Sequence, residues 1–212
     1  MNRSILILFQ VSFAAVLLFG VWTSRSIAAE SINDLLTQSR RAQQEGNVEA
    51  ALSLVNRAIA LEPKNYQPYF YRAGIYEVLE RHADAVADYD RVLEIAPRLS
   101  QIYDLRGSEK FKLGQIRESI ADFDKYLAAF PELWPQHWKR GIAYYYAGRF
   151  EEGRKQFEGY QSFDDNDVEN AVWRYLCMVP AVGVEKARAE ILKIKDDRRV
   201  PMMQVYALYA GK

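Results

Sequence analysis

Tyr103 to Pro131, YDLRGSEKFKLGQIRESIADFDKYLAAFP, is the stretch that decides the fold of this 212-residue chain. It reads as two amphipathic helices joined by a turn at Leu113-Gly114-Gln115. In the first, Tyr103, Gly107 and Phe111 recur every four residues and so share one helical stripe. The second carries Ile116, Ile120, Phe123 and Leu127 at three- and four-residue steps, with charged residues on the opposite face. Pro131 cannot continue a helix and closes the unit.

Outward from this unit the same pattern returns at a fixed step. Pro63, Pro97 and Pro131 are each 34 residues apart. The same offset aligns Leu35, Tyr69, Tyr103 and His137, then the small residues Ser39, Ala73, Gly107 and Gly141, where two helices must approach closely. It aligns the turn residues Gly46, Glu80, Gly114 and Gly148, and the small residues Ala51, Ala85, Ser119 and Gly153 of the second helix. Val55, Tyr89, Phe123 and Phe157 then supply one large apolar plug per unit. A helix–turn–helix of this period, with small, large and proline positions in this order, resembles the tetratricopeptide repeat (TPR) family. The resemblance implies an all-α, right-handed solenoid of four repeats, 32–65, 66–99, 100–133 and 134–167, closed by C-terminal capping helices over 168–212.

Charge follows the same register. Arg72 and Asp88 occupy the repeat positions of Arg106 and Asp122, with 16 residues between partners in both cases. The first repeat has Gln38 and Leu54 there, and the fourth keeps Arg140 but has Gln156. The expectation is a bidentate pair bridging the two helices of a repeat. The alternative is an arginine ladder that receives an acidic ligand.

Residues 1–29 stand outside the repeats. Arg3 precedes an apolar run from Ile5 to Val21, a polar stretch Thr23-Ser24-Arg25-Ser26, and Ile27-Ala28-Ala29. This is the anatomy of a secretory signal peptide cleaved after Ala28 or Ala29. The competing reading is an uncleaved inner-membrane anchor, because the run is nearly long enough to span a bilayer. No Cys stands near the cleavage site, which argues against lipid attachment there. Export makes the mature chain periplasmic or secreted. Its one cysteine, Cys177, has no partner for an internal disulfide and reads as a small buried residue.

Half of the residues are apolar or aromatic and 26% are charged, with 28 basic against 28 acidic side chains. Removing 1–29 takes away Arg3 and Arg25 and no acid, which leaves a slight acidic excess. Such a balance gives no general attraction to nucleic acid or anionic lipid, so membrane association is expected only with an uncleaved leader. Ser31 suits an N-cap, with the capping-box acid read as absent. Val168 to Met178 reads as a helix packing on repeat four through Trp173 and Leu176. Pro180 and Gly183 read as a turn, Val184 to Lys195 as an amphipathic helix, 196–199 as a charged loop, and Met202 to Tyr209 as a last apolar helix. Asn166-Asp167, Trp173 to Leu176, Glu185-Lys186-Ala187 and Tyr206 to Gly211 resemble the end of NlpI-type periplasmic TPR proteins. That resemblance implies an adaptor between envelope enzymes.

A search for chemistry finds little. His82, read as solvated in a turn, and His137, read as a packing residue, lie in no zinc pattern. The run Asp164-Asp165-Asn166-Asp167 lacks the alternation and closing Glu of a calcium loop and reads as a solvated helix break. No enzyme activity and no cofactor are expected. A TPR stack instead offers a groove lined by its first helices, whose residues four and seven apart point together. By the resemblance, its protein-binding candidates are Arg40, Phe70, Glu77, Asp104, Ser108, Phe111, Trp138, Ile142 and Tyr145. Phe70, Phe111, Trp138 and Tyr145 would be the apolar anchors, with Arg40, Glu77 and Asp104 setting register. The expected partner is a protein or peptide segment; self-association into a homodimer through the aromatic faces is the alternative.

Overall fold

The computed structural model describes residues 30–212; the expected leader over 1–29 lies outside them. All regular structure among the described residues is helical. Helices α1 (Ile32–Gln44) and α2 (Val48–Leu61) form a first hairpin, and α3 (Tyr66–Val78) and α4 (His82–Ile95) a second. Helices α5 (Gln101–Lys112) and α6 (Ile116–Ala129) form the third, α7 (Trp138–Tyr146) and α8 (Phe150–Tyr160) the fourth. Each hairpin packs on the next, so the whole is a helical repeat solenoid. No helix among the described residues is long and apolar enough to cross a membrane.

The hairpins close through the residues that recur in sequence. Val55, Tyr89, Phe123 and Phe157 are buried, each filling the space its small first-helix partner leaves open. At Gly107 a Cβ would stand 2.9 Å from the Phe123 ring, and at Gly141 2.7 Å from that of Phe157. The backbone therefore approaches as closely as it does only because these positions are glycine. Two buried hydroxyls tie the same crossing in opposite directions: Ser39 Oγ donates to Ala51 O at 2.8 Å, and Ser119 Oγ to Gly107 O at 2.7 Å. The turns use left-handed backbone at Gly46, Gly114 and Gly148, and Glu80 adopts it too at φ 55°. Ser31 has its capping-box acid after all. Asp34 reaches back to the Ser31 amide while the Ser31 hydroxyl accepts from Asp34 N.

Arginines staple the stack. Arg72 places Nε and Nη2 on the two carboxylate oxygens of Asp88 at 2.8 and 2.7 Å, and Nη1 on Asn56 in the preceding repeat at 2.6 Å. Arg106 repeats this with Asp122 (2.8 and 2.6 Å) and Asp90 (2.6 Å). Arg140 repeats it with Gln156 Oε1 (3.1 and 2.9 Å) and Asp124 (2.8 Å). Each guanidinium thus joins the second helix of its own repeat to that of the repeat before. Donors spent in this way leave no ladder for an acidic ligand.

The end of the chain departs from expectation in an instructive way. Helix α9 runs Val168–Val182 straight through Pro180. That proline is exposed in the last turn, where the carbonyl it fails to serve can be hydrated. The turn is Gly183 alone, and α10 spans only Val184–Ala189. Beyond it Ile191, Leu192 and Ile194 leave the helix to pack with Val168, Ala171 and Tyr206 of α9 and the last helix, α11 (Met202–Tyr209). The second helices start at 48, 82, 116, 150 and 184, so the 34-residue register continues into a shortened fifth hairpin. Arg174 holds the matching ladder position, bonding Glu158 at 3.0 Å and the Glu190 carbonyl at 2.8 Å where α10 stops. Helix α11 starts 34 residues after α9 and covers it, as a further first helix would.

Repeat four begins late. Pro131–Leu133 is a single 3-10 turn, and α7 starts at Trp138 rather than near Trp134. His137 does more there than pack. Its ring lies 4.8 Å from Phe123, its Nδ1 accepts from Arg140 N, and its Nε2 therefore carries the proton donated to Asp104 at 2.9 Å. His82 is half-buried rather than solvated, with Nδ1 2.7 Å from Glu109, a carboxylate 1% exposed that also takes Lys112 at 2.6 Å. Cys177 is buried directly beneath Gly153, and burial pushes its thiol up to about 12.

Candidate functional site

Two adjoining pockets share one wall, made by Trp138 and Ile142 four residues apart on α7. The first, about 260 Å³, lies between α5 and α7 over Phe123, with Ser108 and Phe111 on its α5 side and Lys112 and Lys139 at its rim. The second, about 310 Å³, lies between α7, α8 and α9, walled by Phe157, Tyr160 and Trp173, with Asp167, Glu169, Asn170 and Arg199 around it. Trp138 stands between them 50% exposed, a large apolar side chain held at the surface by a rigid helix. An aromatic residue in that setting is the kind of group that anchors protein recognition.

The structure therefore brings Ser108, Phe111, Trp138 and Ile142 together and sends the other candidates elsewhere. Phe70 is partly exposed on α3 with its ring 6.3 Å from Tyr89. Glu77 accepts the Tyr89 hydroxyl at 2.7 Å inside its own repeat. Arg40 lies over the Tyr71 ring at 5.8 Å. Tyr145 sits in an aromatic knot, with Tyr146, Phe150 and Trp173 centroids 5.5–5.6 Å away. Asp104 is a clamp between repeats three and four: His137 Nε2 and Lys139 Nζ both donate to it, at 2.9 and 2.6 Å. Burial pushes the Asp104 carboxyl up, but those two donors outweigh it and leave its pKa below the ordinary value. Lys139 also reaches Ser108 Oγ at 3.0 Å, so the pocket rim is fixed by the same network.

Sequence reasoning missed Tyr160, Asn170 and Arg199 as groove residues and took Trp173 as a packing residue only. Trp173 does stack on Phe157, at 6.3 Å and 15°, and both rings line the second pocket. The signal for α9 lay in Arg174, which extends the series Arg72, Arg106, Arg140 by one more period. Arg199 is brought in from the loop after α10, where it bonds Asp167 and Glu169 at 2.8 Å each and Asp197 at 2.6 Å. The acidic run before α9 is thus more than a solvated break. Asp167 caps α9 through Glu169 N and Asn170 N, and Asn166 holds the backbone of 195–196. Among the described residues no group of three or more His, Cys, Asp or Glu side chains is placed to hold a metal ion.

Comparison with known proteins agrees with this architecture. The family model described as tetratricopeptide repeat matches residues 36–99 and 105–167. No curated protein matches the sequence. Among solved structures, MamA superposes with a TM-score of 0.69 at 13% identity, covering 86% of this chain and 93% of that one. YrrB, a TPR protein with an unusual peptide-binding site, gives 0.68 at 14% identity, with 86% and 88% covered. MamA from Desulfovibrio magneticus RS-1 gives 0.67 at 18% identity, with 74% and 89% covered. At these identities the likeness is one of fold. The family match spans more than half of the sequence, and the chain belongs to the tetratricopeptide repeat family.

Proposed function

We propose that this chain is a non-catalytic adaptor or assembly scaffold, exported to the bacterial envelope, which holds a segment of another polypeptide against α5, α7 and α9. The observation that carries this reading is the half-exposed Trp138 shared by two adjoining apolar-walled pockets. Two pockets in series on one face suit successive side chains of an extended or helical segment better than they suit one small molecule. The charged groups nearby are already bonded to one another, as Asp104 is to His137 and Lys139, which favours binding over catalysis. YrrB, a structurally similar TPR protein, has a peptide-binding site, which supports this reading. Export rests on the character of residues 1–29, and N-terminal sequencing of the native protein decides between a cleaved leader and a retained anchor. The test of the groove is Trp138→Ala. Its side chain is half exposed, so melting should change little, while proteins recovered with the tagged chain after crosslinking in cells should be lost. Unchanged recovery at unchanged stability would refute the site.

A further inference from the structure

We propose that the pocket between α7 and α9 takes the cationic side chain, lysine or arginine, of the bound segment. This rests on the reading of the groove as a polypeptide-binding surface and adds the chemistry of what enters it. Four of the lining residues are aromatic, Trp138, Phe157, Tyr160 and Trp173, and a cation is attracted to an aromatic ring face. The mouth is rich in acceptors. Three carboxylates, of Asp167, Glu169 and Asp197, share the single guanidinium of Arg199. The pocket lining carries two carboxylates, Asp167 and Glu169, against the one guanidinium of Arg199, to which Asp197 is also bonded, so the charge beside the opening is net negative. That surplus outweighs the partial positive charge at the start of α9. Glu169 is exposed, and its 2.8 Å bond to Arg199 lies at the surface, where an incoming donor can compete for the carboxylate.

A second observation is independent of charge. Asn170 lines the pocket while only 5% exposed. Its Nδ2 donates to Phe157 O at 3.0 Å, but its Oδ1 is the one buried side-chain oxygen or nitrogen among the described residues without a hydrogen-bond partner. An acceptor left unpaired at a buried position is costly, and a donor that enters the pocket Asn170 lines is the group placed to meet it. A lysine or arginine supplies that donor; an acidic side chain would face carboxylates, and an aliphatic one would leave the acceptor unmet. The neighbouring pocket has Lys112 and Lys139 in its lining and no carboxylate. A basic residue therefore seats on the α9 side of Trp138 only, and this fixes the direction of the segment along the groove.

The experiment is an NMR titration of the purified protein, reading the indole N–H signals of Trp138 and Trp173. The probes are the capped peptides Ac-Ala-Lys-Ala-NH2 and Ac-Ala-Arg-Ala-NH2, with norleucine and glutamate versions as controls. The two basic peptides should move both signals saturably and bind about tenfold more tightly than the norleucine peptide, with the glutamate peptide silent. Glu169→Lys, at an exposed position, should weaken the basic peptides about tenfold and leave norleucine unaffected. Equal binding of lysine and norleucine peptides, or indifference to Glu169→Lys, overturns the proposal while leaving the groove reading intact. Silence of all four peptides also overturns it, and partner recovery that survives Trp138→Ala then removes the groove reading as well.

Discussion

Replacing Arg106 by leucine removes one rung of the ladder that joins repeats two and three. Asp122 is 2% exposed in its side chain and takes two hydrogen bonds from Arg106, at 2.8 and 2.6 Å. Breaking one side of a buried pair costs about 3–5 kcal/mol. Lys110, 2.8 Å from the same carboxylate, stays in place and keeps part of the compensation. The bond to Asp90 adds about 0–1 kcal/mol, because that partner is half exposed. The expected loss for Arg106→Leu is therefore about 2–3 kcal/mol. Adding Asp122→Leu removes the stranded charge, so the double variant should fall short of the summed single losses by at least about 1 kcal/mol. Acid provides a further readout. Burial pushes the Asp122 carboxyl up, but Arg106 and Lys110 outweigh it and hold its pKa below the ordinary 3.8. A group depressed in the folded state contributes stability above its unfolded pKa and loses it as pH falls through the folded one. Stability should accordingly drop below pH 3.8 and drop less steeply in Arg106→Leu. Urea unfolding followed by circular dichroism measures all of this. A single variant within about 0.5 kcal/mol of the parent, or strict additivity of the pair, would refute the ladder as an energetic element.

Gly141→Ala should lower stability by about 1–2 kcal/mol, since its Cβ would press on a Phe157 ring that Trp173 prevents from retreating. Gly74→Ala, with open space around its Cβ, should raise it by about 0.5–1 kcal/mol, and changes of the same sign in thermal melts would contradict the packing argument. Glu80→Gly relieves a left-handed residue and should stabilise by up to about 1 kcal/mol, whereas Gly114→Ala, at φ 74°, should cost about 1–2 kcal/mol. The reverse ranking in urea would mean the turns do not set the hairpins. Cys177 should resist a thiol reagent in the native protein and react only as the chain unfolds; immediate labelling at neutral pH would place the thiol outside the core.

The repeat register was open to reading because each hairpin needs the same few shapes at the same places. Gly107 under Phe123, Gly141 under Phe157 and a left-handed turn at Gly46, Gly114 and Gly148 leave marks that simple alignment recovers. The fifth hairpin was hidden because it keeps the register and discards the shapes. Tyr175 replaces the small first-helix residue, Ile191 stands where the ring should be, and α10 stops early where Arg174 takes its last carbonyl. The groove was half legible. Trp138 and Ile142 followed from the family resemblance, whereas Arg199 reaches the site across a loop that no repeat pattern governs. Asp104 reads as a ligand contact because the family resemblance implies which positions face a groove, and only the folded chain shows that His137 and Lys139 already hold it.

The most direct test places a photoreactive amino acid at Trp138 and, as a control, at the exposed Lys155 of α8, followed by irradiation of intact cells and mass spectrometry. A discrete crosslinked polypeptide from position 138 and none from position 155 is the predicted result. Identical products from both positions, or no product at 138 from a chain that is folded and abundant, would contradict the account.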